Sequence, residues 1–96
     1  MERSYWVYIV TDKPYGTLYV GVTNDLARRV QEHRDGIADG FTKKYGLKTL
    51  VYCEEYSTAG EAIQREKRFK KWNREWKIHR IKQLNPTWKD LYDGLL

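Results

Sequence analysis

Residues 17–34, TLYVGVTNDLARRVQEHR, carry a tyrosine, an arginine and a histidine (Tyr19, Arg29 and His33) at spacings that let all three point one way. A phenol, a guanidinium and an imidazole held on regular elements are parts for phosphate chemistry. The same residue types also serve as ordinary surface groups, so the elements that position them have to decide.

The second chemical signal is a carboxylate. Residues 57–61, STAGE, predict a helix start with Thr58 and Glu61 at capping-box spacing. By helical angle the inner stripe is Ala59, Ala62, Ile63, Glu66 and Phe69, with Asn73 at its end, while Gln64, Arg68 and Lys71 point away. Glu66 therefore faces inward on a helix with ample solvent-facing room for charge. An ionised group there costs several kcal/mol unless it is paired or binds a metal. Either it meets an inward arginine or keeps its head in water at the stripe's edge, or it is a single carboxylate ligand for Mg²⁺ or Mn²⁺, completed by water and phosphate oxygens. No clustered Asp/Glu set accompanies it, which disfavours a two-metal site.

The elements that must position these groups follow from periodicity. Tyr5–Thr11, YWVYIVT, is β-branched and aromatic enough for a strand. Asp12-Lys13-Pro14-Tyr15-Gly16 is turn chemistry, and residues 17–22 return as a second strand. A four-residue loop, 12–15, sets Thr11 against Gly16 and Tyr8 directly opposite Tyr19, both on one face. A five-residue loop puts the two tyrosines on opposite faces. Thr23-Asn24-Asp25 caps a helix through Arg34, with Leu26 and Val30 inward and Arg29 and His33 one turn apart on the flank of that stripe. A polar loop is expected through Lys44, ending in Thr42-Lys43-Lys44. Residues 47–56 read as the third strand. A last helix, Arg74–Leu84, is stopped by Asn85-Pro86, and a tail carrying Trp88, Leu91 and Tyr92 packs back.

Bulk properties bound the answer. Ninety-six residues make one domain, 1–96, with a single modest core. A hydrophobic share of 41% against 32% charged is a globular balance, not a disordered one. No apolar run approaches a membrane span and no signal-peptide pattern opens the chain, so a cytoplasmic location is expected. The lone cysteine, Cys53, sits in an apolar alternating segment and reads as a buried, inert thiol. His33 and His79 are too few and too scattered for zinc. There is no Walker-type phosphate loop and no serine nucleophile elbow. Tyr5, Trp6, Trp72, Trp76 and Trp88 are expected in the core. Residues 65–82 hold nine basic residues against Glu66 and Glu75, a net of +7, leaving −2 for the rest. Such asymmetry presents one basic face, for which polyanions are the natural partner.

Together these pieces resemble the GIY-YIG nuclease domain family. Its two motifs read here as Trp6-Val7-Tyr8 and Tyr19-Val20-Gly21, with Trp6 where the first motif has its glycine. Arg29 follows Tyr19 by ten residues, His33 comes one turn later, and EAIQREKRFKKW (61–72) is similar to the helix that carries the family's metal-binding glutamate, with Glu66 at that position. FTKKYG, LVYCEEY and NPTWKDLY resemble segments of the short stand-alone bacterial members, of the URI type. Asn73 and Asn85 are the two candidates for the family's late asparagine.

The resemblance implies an α+β fold, a small three-stranded antiparallel sheet flanked by helices in the order β-β-α-β-α-α. It implies a metal-dependent endonuclease that hydrolyses DNA phosphodiester bonds with one divalent cation, Mg²⁺ or Mn²⁺, in DNA repair, recombination or processing. Glu66 would hold the cation and Arg29 would bind the scissile phosphate. Tyr8 and Tyr19 would position or deprotonate water, and His33 would accept the proton or orient a tyrosine. Lys43, Lys44, Arg65, Lys67, Lys70 and Arg74 would meet the nucleic acid, with DNA, branched or single-stranded forms included, the expected partner of a monomer or weak dimer. The competing function is a nucleic-acid-binding module that keeps the fold and the basic 65–82 region but cuts little. A protein-interaction role for the aromatic tail has only composition behind it.

Overall fold

A computed structural model of the chain describes residues 4–38 and 40–95. Strands β1 (Tyr5–Thr11) and β2 (Leu18–Thr23) lead into helices α1 (Leu26–Arg34) and α2 (Gly40–Tyr45). Strand β3 (Thr49–Tyr56), helices α3 (Ala59–Lys71) and α4 (Arg74–Leu84), and a 3-10 turn (Tyr92–Leu95) complete the order. The three strands form one antiparallel sheet in the order β2-β1-β3. Among the described residues, no helix is long and apolar enough to cross a membrane.

The period-two alternation of β1 divides the core. Val7 and Ile9 pack with Ala62, Phe69 and Ile81 from α3 and α4, while Tyr8 and Val10 pack with Leu26 and Val30 from α1. The pairing of β1 with β3 slips between Ile9 and Val10, so Val51 has no partner of its own. Such a bulge frees a carbonyl. Asn85 takes it: buried at the end of α4, its amide donates to Val51 O at 3.1 Å and to Lys89 O at 2.7 Å. The other candidate asparagine, Asn73, caps α4 by accepting from the Trp76 N–H at 3.0 Å.

The expected sheet and its helices are present, with one helix more than the expected order. The segment read as a polar loop contains α2, whose sequence GFTKKY is too short and too polar to show periodicity. Its Phe41 and Tyr45 rings, four residues apart, meet at 4.9 Å, and Gly46 ends it with φ 64°.

The hairpin register also differs. Thr11 pairs with Leu18, Tyr8 with Gly21 and Tyr19 with Val10. The connection is therefore six residues long, not four. Asp12 extends it by folding its carboxylate back onto the Thr17 N–H at 2.9 Å. The slip is an even number of residues, so Tyr8 and Tyr19 still share a face, diagonally and not directly opposed. The left-handed residue of the turn is Tyr15 (φ 59°), not Gly16. Trp88 is buried as expected, but Trp76 is exposed, and on α3 Ile63 is exposed as well.

Candidate active site

Tyr8 is the centre of a buried polar chain. Its hydroxyl lies 2.9 Å from His33 Nε2, and His33 Nδ1 lies 3.0 Å from Thr42 Oγ1. All three residues are at most 2% exposed. The chain crosses three elements: Tyr8 on β1, His33 on the last turn of α1 and Thr42 on α2. A neutral imidazole offers one donor and one acceptor. In the tautomer that gives Nδ1–H to Thr42, Nε2 presents its lone pair to the Tyr8 hydroxyl, and the phenol proton has a destination.

Arg29, one turn before His33, reaches the same phenol. Burial works against its charge, but hydrogen bonds with Tyr8 and Glu32 outweigh that and raise its pKa. The Glu32 carboxylate accepts from Arg29 Nη1 at 3.1 Å, with both side chains about 31% exposed. The guanidinium is thus fixed at the rim, half in solvent, where an anion can reach it.

Tyr19 faces the same space from β2. Its ring stands edge-on to His33 at 5.8 Å between centroids and 6.2 Å from Phe41. Unlike Tyr8 it is half-buried and lines an open groove. Lys70 Nζ sits 6.0 Å from the Tyr19 ring centre and 3.6 Å from Glu66 Oε1. Glu66 is thus tied to the tyrosine side of the molecule through the last turn of α3. Its side chain is only 16% exposed. Its partner is a lysine on its own helix, not an inward arginine.

Among the described residues, no three His, Cys, Asp or Glu side chains cluster as a metal cage. A single half-buried carboxylate suits a hard cation that takes most of its oxygens from water and phosphate. Glu66 would suit Mg²⁺ or Mn²⁺ held in that way.

The expected nucleic-acid contacts divide. Lys43, Lys44, Lys67, Lys70 and Arg74 are exposed, with Lys44 lying over the Tyr45 ring and Arg74 bound to the Tyr15 carbonyl. Arg65 is placed differently. It clamps Glu54 through Nε at 3.0 Å and Nη2 at 3.2 Å, with its guanidinium over Phe69 and Trp72. Arg80 adds a third bond to Glu54 at 3.2 Å. These cations fasten α3 and α4 to β3. Three participants escaped the sequence reading: Thr42, Glu32 and Lys77, the last lining the groove beside Tyr19. The i, i+3 spacing of Arg29 and Glu32 was the available signal for the second; nothing local marked the other two.

A family model of the GIY-YIG catalytic domain matches residues 4–79. A UPF0213 protein of Bacillus pumilus is 36% identical over 84 residues, covering 88% of this chain and 86% of that one. A UPF0213 protein of Staphylococcus aureus is 39% identical over 80 residues, covering 83% and 96%. The solution NMR structure of the UPF0213 protein BH0048 from Bacillus halodurans superposes with a TM-score of 0.58 at 26% identity, covering 91% and 92% of the two chains.

Proposed function

The chain belongs to the GIY-YIG family, a nuclease family, and from that premise we propose that it is an endonuclease that hydrolyses DNA phosphodiester bonds with one divalent cation. The observation that carries the proposal is the junction at Tyr8, where one phenol meets both a rim arginine and a buried imidazole.

Arg29 binds the scissile phosphate and offsets the charge that builds on its oxygens as the nucleophile adds. Tyr19, open to the groove, orients the attacking water. Tyr8 and Glu32 hold Arg29 in place. His33 Nε2 is the acceptor for a proton arriving at the Tyr8 oxygen, which hands its own proton on. Thr42 fixes the imidazole. Free phenols titrate near 10, so the relay supplies a basicity that neither tyrosine has alone at neutral pH. Glu66 would hold the cation, which supplies Lewis-acid stabilisation of the phosphate and of the leaving oxygen when bound.

The deciding experiment is Mg²⁺- or Mn²⁺-dependent nicking of single-stranded, duplex and branched DNA by the unaltered protein and by Glu66→Ala. Cutting that needs the metal and disappears in the variant supports the reading. Absence of cutting on all three substrates with binding intact supports the competing role, a binding module built on the same basic face.

A further inference from the structure

Strand β2 pairs on one side only, with β1, so its other edge is open. Along that edge run two adjoining concavities of about 260 and 240 Å³. They share Leu18 and Lys77. The first also takes in Tyr19, Phe41 and Lys70, and the second Thr17 and Arg74. They form one groove that starts at Tyr19 and runs back along the strand toward the hairpin turn.

The charges in this groove are arranged against local preference. Arg74 and Lys77 belong to the first turn of α4, whose positive dipole end favours anions; the one acid of that turn, Glu75, does not line the groove. Lys70, from the end of α3 and already paired with Glu66 at 3.6 Å, adds a third cation. Burial, and then the charges of Arg74 and Lys70, push the Lys77 ammonium below its usual range. Among the described residues neither Lys77 nor Arg74 has a carboxylate partner. Arg74 spends one N–H on the Tyr15 carbonyl, and the nearby Asp12 carboxylate is turned into the hairpin loop. Like charges gathered at a helix N-terminus repel one another unless an anion joins them. The α4 backbone adds its own partial positive charge to the same place.

We propose that Lys77 and Arg74 form a phosphate subsite for the strand being cut, seating a phosphate beyond the scissile one along the open β2 edge. Phe41, beside Tyr19 in the groove, is the surface against which the intervening sugar and base pack. The proposal rests on the endonuclease reading in that it places this phosphate on the strand whose neighbouring phosphate meets Arg29. It fixes a path for the strand: past Tyr19, over Leu18, toward Thr17.

The test is equilibrium binding of a short fluorescent DNA, single-stranded and duplex, in EDTA across a salt series, so that no cutting enters the readout. Lys77→Gln and Arg74→Gln are each expected to weaken binding about threefold to tenfold and to lower the slope of log affinity against log salt by about 1. Lys48→Gln, exposed just before β3 at the opposite edge of the sheet, is the control and leaves both unchanged. Arg74 is exposed, so its variant reports on binding even if Lys77→Gln disturbs packing. Variants that bind with unaltered affinity and slope, while the unaltered protein still binds and cuts DNA, overturn the subsite and leave the nuclease reading standing. If the unaltered protein neither binds nor cuts any DNA form, both readings fail together.

Discussion

Gly21 stands directly opposite Tyr8 in the β1–β2 ladder, and a Cβ at that position would lie 2.5 Å from Tyr8 Cζ and 2.8 Å from Cε1. The glycine of the second motif is thus the floor on which the tyrosine of the first lies. Both side chains of that cross-strand pair would project to one face; only hydrogen leaves the phenol room to cross toward His33.

Gly21→Ala therefore tests the site through its packing. The Tyr8 ring cannot yield without leaving the 2.9 Å contact with His33. Overpacking of this kind costs about 1–3 kcal/mol, so the melting temperature should fall. Cutting should fall further than the lost stability explains, measured well below the variant's melting point. An active variant with an undisturbed midpoint would mean that the phenol has slack the packing does not suggest.

Thr42→Val removes one hydroxyl and keeps the shape. His33 Nδ1 then loses its partner in a site that is at most 2% exposed, at a cost of about 1–3 kcal/mol. The imidazole is freed to turn or to exchange tautomer. Cutting should slow and its pH–rate profile should move, whereas DNA affinity should stay the same. Thr42→Ser should restore the profile. A pH profile identical to the parent in Thr42→Val would remove Thr42 from the relay.

How legible all this was depended on whether the signal was local. The strands, α1, α3 and α4 announced themselves by alternation, caps and apolar spacing, and Arg29 and His33 by one turn of helix. Tyr8 and Tyr19 were placed on the right face even though the turn was two residues longer than expected, because an even slip preserves sidedness. Thr42 was unreadable because its helix is six residues of mostly polar sequence, fixed by what it touches. Glu54 was hidden for another reason. LVYCEEY looks like an alternating strand with two solvated carboxylates, and only the fold brings Arg65 and Arg80 to one of them. On α3 Ile63 is exposed while Arg65 is partly buried against Glu54, a placement that periodicity alone cannot foresee.

Glu54 predicts how the protein responds to acid. Burial pushes its carboxyl up, but hydrogen bonds from Arg65, Tyr52 and Tyr56 outweigh that and hold it at about 2 against an ordinary 4.5. A depressed folded-state value means stability that is present above about 4.5 and lost as pH falls toward 2. The side chain is 14% exposed, and the shift corresponds to on the order of 3 kcal/mol. Glu54→Gln should lower stability at pH 7 and flatten the acid limb between those two values, as read by urea unfolding across pH. Parallel acid limbs in the two proteins would show that other carboxylates set the response.

Glu66 gives the sharpest separation of binding from chemistry. Its carboxylate, 3.6 Å from Lys70, lowers the positive potential beside Tyr19. Glu66→Ala deletes the proposed cation ligand and frees Lys70 at the same time. Two effects of opposite sign follow. Cutting should fall by about 10²–10³, the scale on which removal of one charge-stabilising group slows such reactions. Binding to DNA in EDTA should hold or tighten, since one negative charge has left a surface that meets phosphates. Glu66→Gln should behave alike, because an amide ligates hard cations poorly. Lys70→Gln separates the two causes: it should weaken DNA binding while retaining metal-dependent cutting at saturating DNA. Loss of cutting and binding together in Glu66→Ala, with melting temperature unchanged, would place that carboxylate in the DNA interface and not at a metal.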